Sequence, residues 1–244
     1  TDITFVAQAN DGYELKELLV DGVNYNYTDV HTFRDVMEDH TIHAVFQRIG
    51  APSYSTCDHG TSCPLNGYSD LNTSEWYHDA IHYCVDNVIM GGTGSSKFYP
   101  RRNTTRAELA GSLYNHQGRP PVAGSGLLPN TYSDVKAGEW HYQAIEWATK
   151  EGILAGYGNG KFRPNQSVTR EQLVAIIWRH AGSPKPRSTT LRFYDAGSVS
   201  GYAWEAMCWA TEQGILQGRS SGYLVPKGTA TRAEVAQMLK NYLN

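Results

Sequence analysis

Three arginines occupy positions that suggest chemistry with an anion. Arg106, Arg170 and Arg232 each directly follow a threonine that is placed to be the N-cap of a helix. A cation in the first turn of a helix opposes the helix dipole, so the position is unfavourable unless a negative group lies nearby. We therefore expect the three arginines to contact an anionic ligand or, as the alternative, to form salt bridges with aspartates of the same segments.

The helices that begin at these arginines are predicted by their own sequences. A Glu or Gln stands three residues after each threonine, as a capping box requires. An apolar stripe follows it, and another apolar stripe with helical spacing comes earlier in the same segment. Each segment is therefore predicted as a helix, a glycine-rich loop, an extended stretch ending in proline, and a second helix. The capping pairs are Thr105 with Glu108, Thr169 with Gln172, and Thr231 with Glu234.

The same landmarks recur three times at matched intervals. An aspartate opens each segment, an aromatic residue follows, and a glycine stands sixteen residues after the aromatic, ahead of the proline and the arginine. Repetition of this kind indicates stacked supersecondary units rather than one catalytic core. The aspartates are Asp70, Asp134 and Asp195, the aromatics Trp76, Trp140 and Tyr202, and the glycines Gly92, Gly156 and Gly218.

These motifs carry a family resemblance. Tyr68-Ser69-Asp70, the loop at residues 156–164 (Gly-Tyr-Gly-Asn-Gly-Lys-Phe-Arg-Pro) and the Thr-Arg-Ala-Glu tetrapeptides resemble the S-layer homology family over residues 66–244. The resemblance implies a mainly helical, pseudo-threefold trimer of repeats, which we place at residues 68–122, 131–184 and 192–244. It also implies that grooves between repeats hold secondary cell wall polysaccharide, commonly bearing a pyruvate ketal on N-acetylmannosamine.

A pyruvylated sugar presents a carboxylate, hydroxyls and an apolar ring face. The planar fork of an arginine can bind both oxygens of such a carboxylate. The glycines would let the sugar approach the backbone, the aspartates would accept hydrogen bonds from hydroxyls, and the aromatics would stack on the ring. Each type also has a structural role, which we prefer for all but the arginines: the aspartates cap turns, the aromatics pack in the core, and the glycines serve backbone geometry.

The repeats depart from one another near these positions. The middle repeat has Thr-Arg-Glu-Gln at residues 169–172, and its Tyr157 is replaced by Thr93 and Arg219 in the other two repeats. We therefore expect the three grooves to be unequal.

A further departure concerns the end of the first predicted helix. The first repeat has Val88 where the others have Gly152 and Gly214. A helix commonly ends on a residue in the left-handed conformation, and Asn87 can take it one residue earlier. We therefore expect this helix to end differently from its two equivalents.

The amino-terminal part has a different pattern. Residues 1–48 alternate in hydrophobicity, and Asp-Gly pairs at 11–12 and 21–22 predict short antiparallel strands joined by hairpins. This part resembles the small β repeat modules of Gram-positive surface proteins. Residues 49–67, rich in Pro, Ser and Gly, are predicted to be a linker.

Two cysteines lie in that linker. Cys57 and Cys63 can close a short disulfide in an oxidising environment. A metal site that includes Asp58 and His59 is the alternative, although the spacing matches no common zinc pattern. We expect the disulfide, with no metal and no cofactor.

Composition excludes several classes of partner. The net charge is −3 and the pI about 6.3, which gives no general attraction for nucleic acids or anionic membranes. No apolar stretch approaches the roughly 20 residues that cross a bilayer, and the first residues look like the middle of a strand. We therefore expect a piece of a longer secreted protein whose signal peptide and other modules lie upstream.

No catalytic constellation is evident. The nine histidines are scattered, and no serine or cysteine recurs beside them. Carboxylate pairs such as Asp70 with Glu75 and Asp134 with Glu139 could serve a glycosidase, but the third repeat lacks the glutamate. We expect no enzymatic activity.

The expected function follows from the resemblance and the chemistry together. We expect an extracellular, monomeric module that attaches a larger surface protein non-covalently to cell wall polysaccharide. The alternative is a structural or self-associating module of a surface lattice that binds no glycan.

Overall fold

The computed structural model divides the chain into two compact units, Thr1–Ser55 and Thr56–Asn244. Strands lie in the first unit and α-helices in the second. The described residues are 2–9, 13–21, 23–24, 29–48, 60, 63–94, 96–122, 131–219 and 222–244.

The first unit consists of short antiparallel strands around a small apolar core of Leu18, Val20 and Phe33. In the part of this unit that the structure describes, one sheet has two strands and the other has three, with β2 in the centre. The strands are β1 (Ile3–Val6), β2 (Tyr13–Val20), β3 (Val23–Asn24), β4 (Val30–Phe33) and β5 (Ile42–Arg48).

The strand pairing confirms one predicted hairpin and corrects the other. β2 pairs with β3 across residues 21–22, as the Asp-Gly pair there predicts. The hairpin predicted at residues 11–12 is wrong, because β1 pairs with β4 and β2 pairs with β5. An Asp-Gly pair favours a turn locally, but which strands become neighbours depends on the packing of their apolar faces.

The second unit is helical, and its repeats close on themselves. The second helix of each repeat packs against the first helix of the next repeat, and α6 of the third repeat packs against α1 of the first. The mainly α fold predicted for this part is therefore confirmed. The six α-helices among the described residues are α1 (His78–Asp86), α2 (Arg106–His116), α3 (Tyr142–Lys150), α4 (Arg170–His180), α5 (Trp204–Glu212) and α6 (Arg232–Leu243).

A triangle of backbone hydrogen bonds joins the three repeats at the start of their second helices. The amide of Thr104 donates to the carbonyl of Ala230 at 2.9 Å, Ala230 to Val168 at 2.9 Å, and Val168 to Thr104 at 3.0 Å. All three residues are fully buried. Because each repeat donates once and accepts once around a closed circuit, this triangle confirms the pseudo-threefold arrangement.

The three capping boxes are also confirmed. In the first, the hydroxyl of Thr105 accepts from the amide of Glu108 at 3.2 Å, and the Glu108 carboxylate accepts from the amide of Thr105 at 2.9 Å. The other two repeats form the same reciprocal pair. Each box fixes the first turn of a second helix and therefore the position of the arginine inside it.

Part of the predicted linker belongs to the second unit. Pro64–Gly67 forms a 3-10 helix that packs against α1. Cys63 is buried, and its Sγ lies 3.7 Å from Nε2 of His78. The disulfide predicted between Cys57 and Cys63 falls partly outside the described residues, since Cys57 is not among them.

The end of α1 differs from the expectation. Asn87 has a φ of −86°, and Val88 itself takes the left-handed conformation with a φ of 56°. Gly152 and Gly214 have φ values of 69° and 72° at the equivalent positions. The first helix therefore ends as the other two do, because the same loop must follow it, and the strain falls on a β-branched residue.

Replacing Val88 with glycine should stabilise the second unit. Relief of the left-handed strain outweighs the added entropy of the unfolded chain, so we expect the free energy of unfolding to rise by about 1 kcal/mol. Val88 is half exposed, so little apolar burial is lost. Urea unfolding followed by tryptophan fluorescence measures this unit alone, because all six tryptophans lie in it. Gly152→Val is the matched opposite change, and a Val88→Gly variant no more stable than wild type would contradict the expectation.

Candidate functional site

Each repeat aspartate uses both carboxylate oxygens within its own repeat. Asp134 accepts from the amide of Phe162 at 2.8 Å and from that of Arg163 at 2.9 Å, and Asp70 and Asp195 make the same pair of bonds to their own loops. Burial would raise the pKa of Asp134, but these hydrogen bonds outweigh it and hold that pKa below its ordinary value. Arg163 has a φ of 59°, so the aspartate stabilises a left-handed bend before the loop proline.

The three arginines connect neighbouring repeats. Nε of Arg106 donates to the carbonyl of Phe162 at 2.9 Å, and its Nη2 donates to that of Ala155 at 2.6 Å. Arg170 and Arg232 bind the equivalent carbonyls of the repeat that follows each of them around the ring. All three side chains are at least 95% buried. Carbonyl oxygens of the next repeat therefore supply partial negative charge that offsets the arginine at each helix start.

Two of the arginines also have a carboxylate partner. Nη1 of Arg170 lies 3.2 Å from Oε1 of Glu234, and Nη1 of Arg232 lies 3.5 Å from Oε1 of Glu108. The partner in these ion pairs is the capping-box glutamate of the next repeat, where the sequence suggested an aspartate. At the place equivalent to these glutamates the second repeat has Gln172, so Arg106 lacks the corresponding ion pair.

The three glycines are required by internal packing. A Cβ on Gly156 would lie 2.4 Å from Cε1 of Tyr132 and 2.6 Å from the carbonyl oxygen of Lys161. The amide of Gly156 donates to the hydroxyl of the same tyrosine at 2.9 Å. Gly92 and Gly218 meet the equivalent aromatic ring and carbonyl of their own repeats. The glycines thus serve the backbone first, as the sequence suggested.

The three aromatics are not packed in the core, which corrects the preferred interpretation. Trp76 is 61% exposed, Trp140 is 70% exposed and Tyr202 is 52% exposed. The residue that follows each of them is buried instead: Tyr77, His141 and Ala203. In the segment before the first helix of each repeat, one of these two neighbouring side chains is exposed and the other is buried. Hydrophobicity alone does not say which of the two points inward.

Trp140 stands beside a groove between the first two repeats, here called the Trp140 groove, of about 490 Å³. Its lining combines the exposed indole with charged and amide groups from both repeats and one arginine of the third. The lining includes Gly92, Arg102, Glu108, Asn115, Trp140 and Arg232.

Trp76 stands beside an equivalent groove between the third and first repeats, here called the Trp76 groove, of about 610 Å³. The tryptophan, the glycine, the glutamate, the asparagine and the buried arginine recur at the same repeat positions, whereas Arg219 stands where the first repeat has Thr93. The lining includes Trp76, Arg170, Gly218, Arg219, Glu234 and Asn241.

The junction of the second and third repeats differs from these two grooves. Here the aromatic is Tyr202, whose hydroxyl donates to Oε1 of Glu171 at 3.2 Å. The Arg106 guanidinium lies 4.8 Å from the centroid of the Tyr157 ring. The residues at the positions equivalent to the two groove linings are Arg106, Tyr157, Gln172, Arg179 and Tyr202, together called the Tyr202 site.

Sequence reasoning missed several groove residues. The sequence pattern places Glu108 and Glu234 only in capping boxes, although each also pairs with a buried arginine at a groove. Asn115 and Asn241 were not singled out at all. The repeat alignment could have identified them, because both lie nine residues after an arginine that begins a second helix.

The repeated loops, the capped second helices and the closed ring agree with a family model. The model of the S-layer homology domain matches residues 67–110, 131–174 and 192–236. The chain belongs to the S-layer homology family. Its repeats form a cell-surface anchoring module.

Several relatives share these repeats. An exoglucanase of Acetivibrio thermocellus is 33% identical over 180 residues, 72% of this chain and 16% of the relative. A cellulosome-anchoring protein of the same species is 30% identical over 128 residues, 52% of this chain and 29% of the relative. An S-layer protein of Bacillus thuringiensis is 27% identical over 174 residues, 70% of this chain and 21% of the relative. The chain thus corresponds to less than a third of the length of each.

The described residues also bear on metals and membranes. They contain no group of three or more His, Cys, Asp or Glu side chains that could hold a metal ion. Within the same part of the chain, no helix has the length and hydropathy that a bilayer crossing requires.

Proposed function

We propose that the repeats hold the protein on the bacterial cell envelope by binding an anionic, pyruvylated secondary cell wall polysaccharide in the grooves between repeats. The observation that carries this proposal is the exposure of Trp76 and Trp140 beside grooves with polar linings. An exposed indole gains apolar burial only when a partner covers it. A sugar ring offers an apolar face together with hydroxyls that suit amide and carboxylate groups.

The other site residues support the grooves in this proposal. Arg170 and Arg232 lie at the Trp76 and Trp140 grooves, where they contribute positive charge while bound to backbone carbonyls. The aspartates and glycines shape the loops that form one wall of each groove. Several weak sites on one rigid ring raise the overall affinity for a polymer that repeats the same sugar.

In this proposal the chain has no catalytic activity of its own. Asp70 and Asp134, which could have formed glycosidase pairs, hold backbone amides with both oxygens. Relatives named as an exoglucanase and an S-layer protein share these repeats, and each extends far beyond them. This supports a role for the repeats in attachment to the cell envelope. Other segments of the longer protein would supply the rest of its function.

A surface-lattice module that binds no glycan is the second candidate, supported by the likeness to an S-layer protein. The closed ring of three repeats argues against self-association through the ends of the repeat array, because α6 already packs against α1 within one chain. We therefore propose a monomer whose repeat contacts are satisfied internally.

Sedimentation with cell walls tests the proposal. The full chain is mixed with Gram-positive cell walls that retain their polysaccharide and with the same walls after extraction by hydrofluoric acid. We expect the protein to sediment with the first and to stay in solution with the second. Equal sedimentation with both, or with neither, would overturn the proposal, and sedimentation without any wall would favour the lattice module.

A further inference from the structure

Another cavity lies beside the Trp140 groove, and its walls come from the first repeat. This cavity, here called the Tyr99 pocket, has a volume of about 380 Å³. The side chain of Arg102 lines both the pocket and the Trp140 groove, so the two cavities are neighbours. The lining of the pocket includes Asp70, Glu75, Tyr77, Tyr99, Arg101 and Arg102.

The charged side chains that line the Tyr99 pocket are already compensated. Nη2 of Arg101 lies 3.2 Å from Oε1 of Glu75, and Arg102 forms an ion pair with Glu108. Asp70 accepts hydrogen bonds from two loop amides, one on each carboxylate oxygen. Because each charge has a partner, the pocket has no surplus charge that would attract an anion.

The same lining can still bind hydroxyl groups. A carboxylate and a guanidinium each have more bonding positions than one ion pair uses, and a sugar hydroxyl both donates and accepts. Tyr77 is buried, and burial raises the pKa of its phenol, which therefore stays a neutral hydroxyl. The ring of Tyr99 is 40% exposed and offers an apolar surface. An uncharged sugar ring has the matching combination of an apolar face and hydroxyls.

Comparison with the third repeat explains why the pocket is open in the first. In the third repeat, Glu171 of the second repeat enters this place, and its carboxylate accepts from Nζ of Lys227 at 2.7 Å. Lys227 is the equivalent of Arg101, but the residue equivalent to Glu171 at the first repeat is Ala233. Both Glu171 and Ala233 donate their amides to the carbonyl of the loop proline, at 3.0 and 2.9 Å. The backbones therefore coincide, and a methyl group leaves room where a glutamate would fill it.

The aromatic lining of the pocket is particular to the first repeat. At the positions of Tyr99 and Tyr77, the second repeat has Arg163 and His141, and the third has Val225 and Ala203. A ring that a sugar could cover at this place therefore occurs in the first repeat alone.

Building on the proposed function, we infer that the Tyr99 pocket binds an uncharged sugar of the wall polysaccharide, the unit next to the one held in the Trp140 groove. The Tyr99 ring covers one face of this sugar, and Glu75 and Arg101 bind its hydroxyls. The first repeat thus recognises two linked sugars, and its affinity depends on the length of the glycan.

A substitution taken from the third repeat tests this inference. Tyr99→Val removes the ring without strain on the backbone, because Val225 has a φ of 53° where Tyr99 has one of 57°. The probes are the polysaccharide released from Gram-positive walls by hydrofluoric acid and the methyl glycoside of pyruvylated N-acetylmannosamine, titrated by calorimetry into the full chain. We expect Tyr99→Val to bind the polysaccharide about five- to tenfold more weakly and the single sugar within about twofold of wild type.

Tyr223→Ala is the matched control, because this ring is 46% exposed and lies outside the pocket. A second variant, Arg101→Asn, gives the pocket the residue of the second repeat and should also weaken only the polysaccharide. Its control is Arg187→Asn, which removes the same charge from a side chain that is 93% exposed. Unfolding in urea checks that all four variants remain folded.

The outcomes separate this inference from the proposed function. If Tyr99→Val binds the polysaccharide as Tyr223→Ala does, or weakens both probes equally, the Tyr99 pocket is not a sugar subsite and the proposed function stands. If wild type binds no polysaccharide, both are overturned.

Discussion

Replacing Arg170 with alanine should lower the free energy of unfolding of the helical unit by about 3–5 kcal/mol. The change leaves two carbonyls, those of Gln217 and Leu224, without their donor and removes the buried one of the two arginines that bind Glu234. Arg170→Lys should recover only part of the loss, because an ammonium cannot reproduce the planar fork that reaches all three groups. Urea unfolding followed by tryptophan fluorescence measures both variants.

Arg219→Ala is the matched control for this prediction. Arg219 binds the same carboxylate at 2.8 Å, but its side chain is 35% exposed. We expect a loss of no more than about 1 kcal/mol, as for other exposed ion pairs. Equal losses for Arg170→Ala and Arg219→Ala would show that burial and the inter-repeat carbonyl bonds contribute little.

Replacing Trp76 and Trp140 together with alanine should lower the affinity for intact cell walls by about 30- to 1,000-fold. Large aromatic side chains at the centre of an interface commonly contribute about 1–2 kcal/mol or more each, and every 1.4 kcal/mol is a factor of ten. The fold should change little, because both indoles are mostly exposed. Titration of wall fragments against the soluble protein, with the bound fraction measured by sedimentation, gives the affinities.

Tyr194→Ala serves as the control for the tryptophans. This ring is 81% exposed and does not line either tryptophan groove. Its removal should leave wall binding within about twofold of wild type. Binding by the double tryptophan variant that matches this control would contradict stacking as the source of affinity.

The two sets of residues in these predictions separate the scaffold from the ligand surface. The buried arginines bind carbonyls of another repeat, so their loss should be seen in stability. The exposed tryptophans make few internal contacts, so their loss should be seen in binding. A wall-binding defect caused by an arginine change therefore has to be compared with the stability of the same variant.

Residues that are close together in the chain are enough to predict the local structure and the repeat. The capping boxes, the loop motifs and the matched spacing were sufficient for the helices, the three repeats and the family, because each depends on residues close together in the chain. The bend that precedes each loop proline is not local in this sense, because an aspartate 28 or 29 residues earlier in the same repeat holds it.

The roles of the arginines and aromatics depend on contacts between repeats that are distant in the chain. The carbonyls that bind Arg232 belong to Phe98 and Gly91, more than a hundred residues away, so no local pattern identifies them. The same holds for Trp76, whose exposure depends on where the third repeat closes against the first. A side chain's partners are set by the ring that brings distant repeats together, and the spacing of a motif cannot specify those contacts.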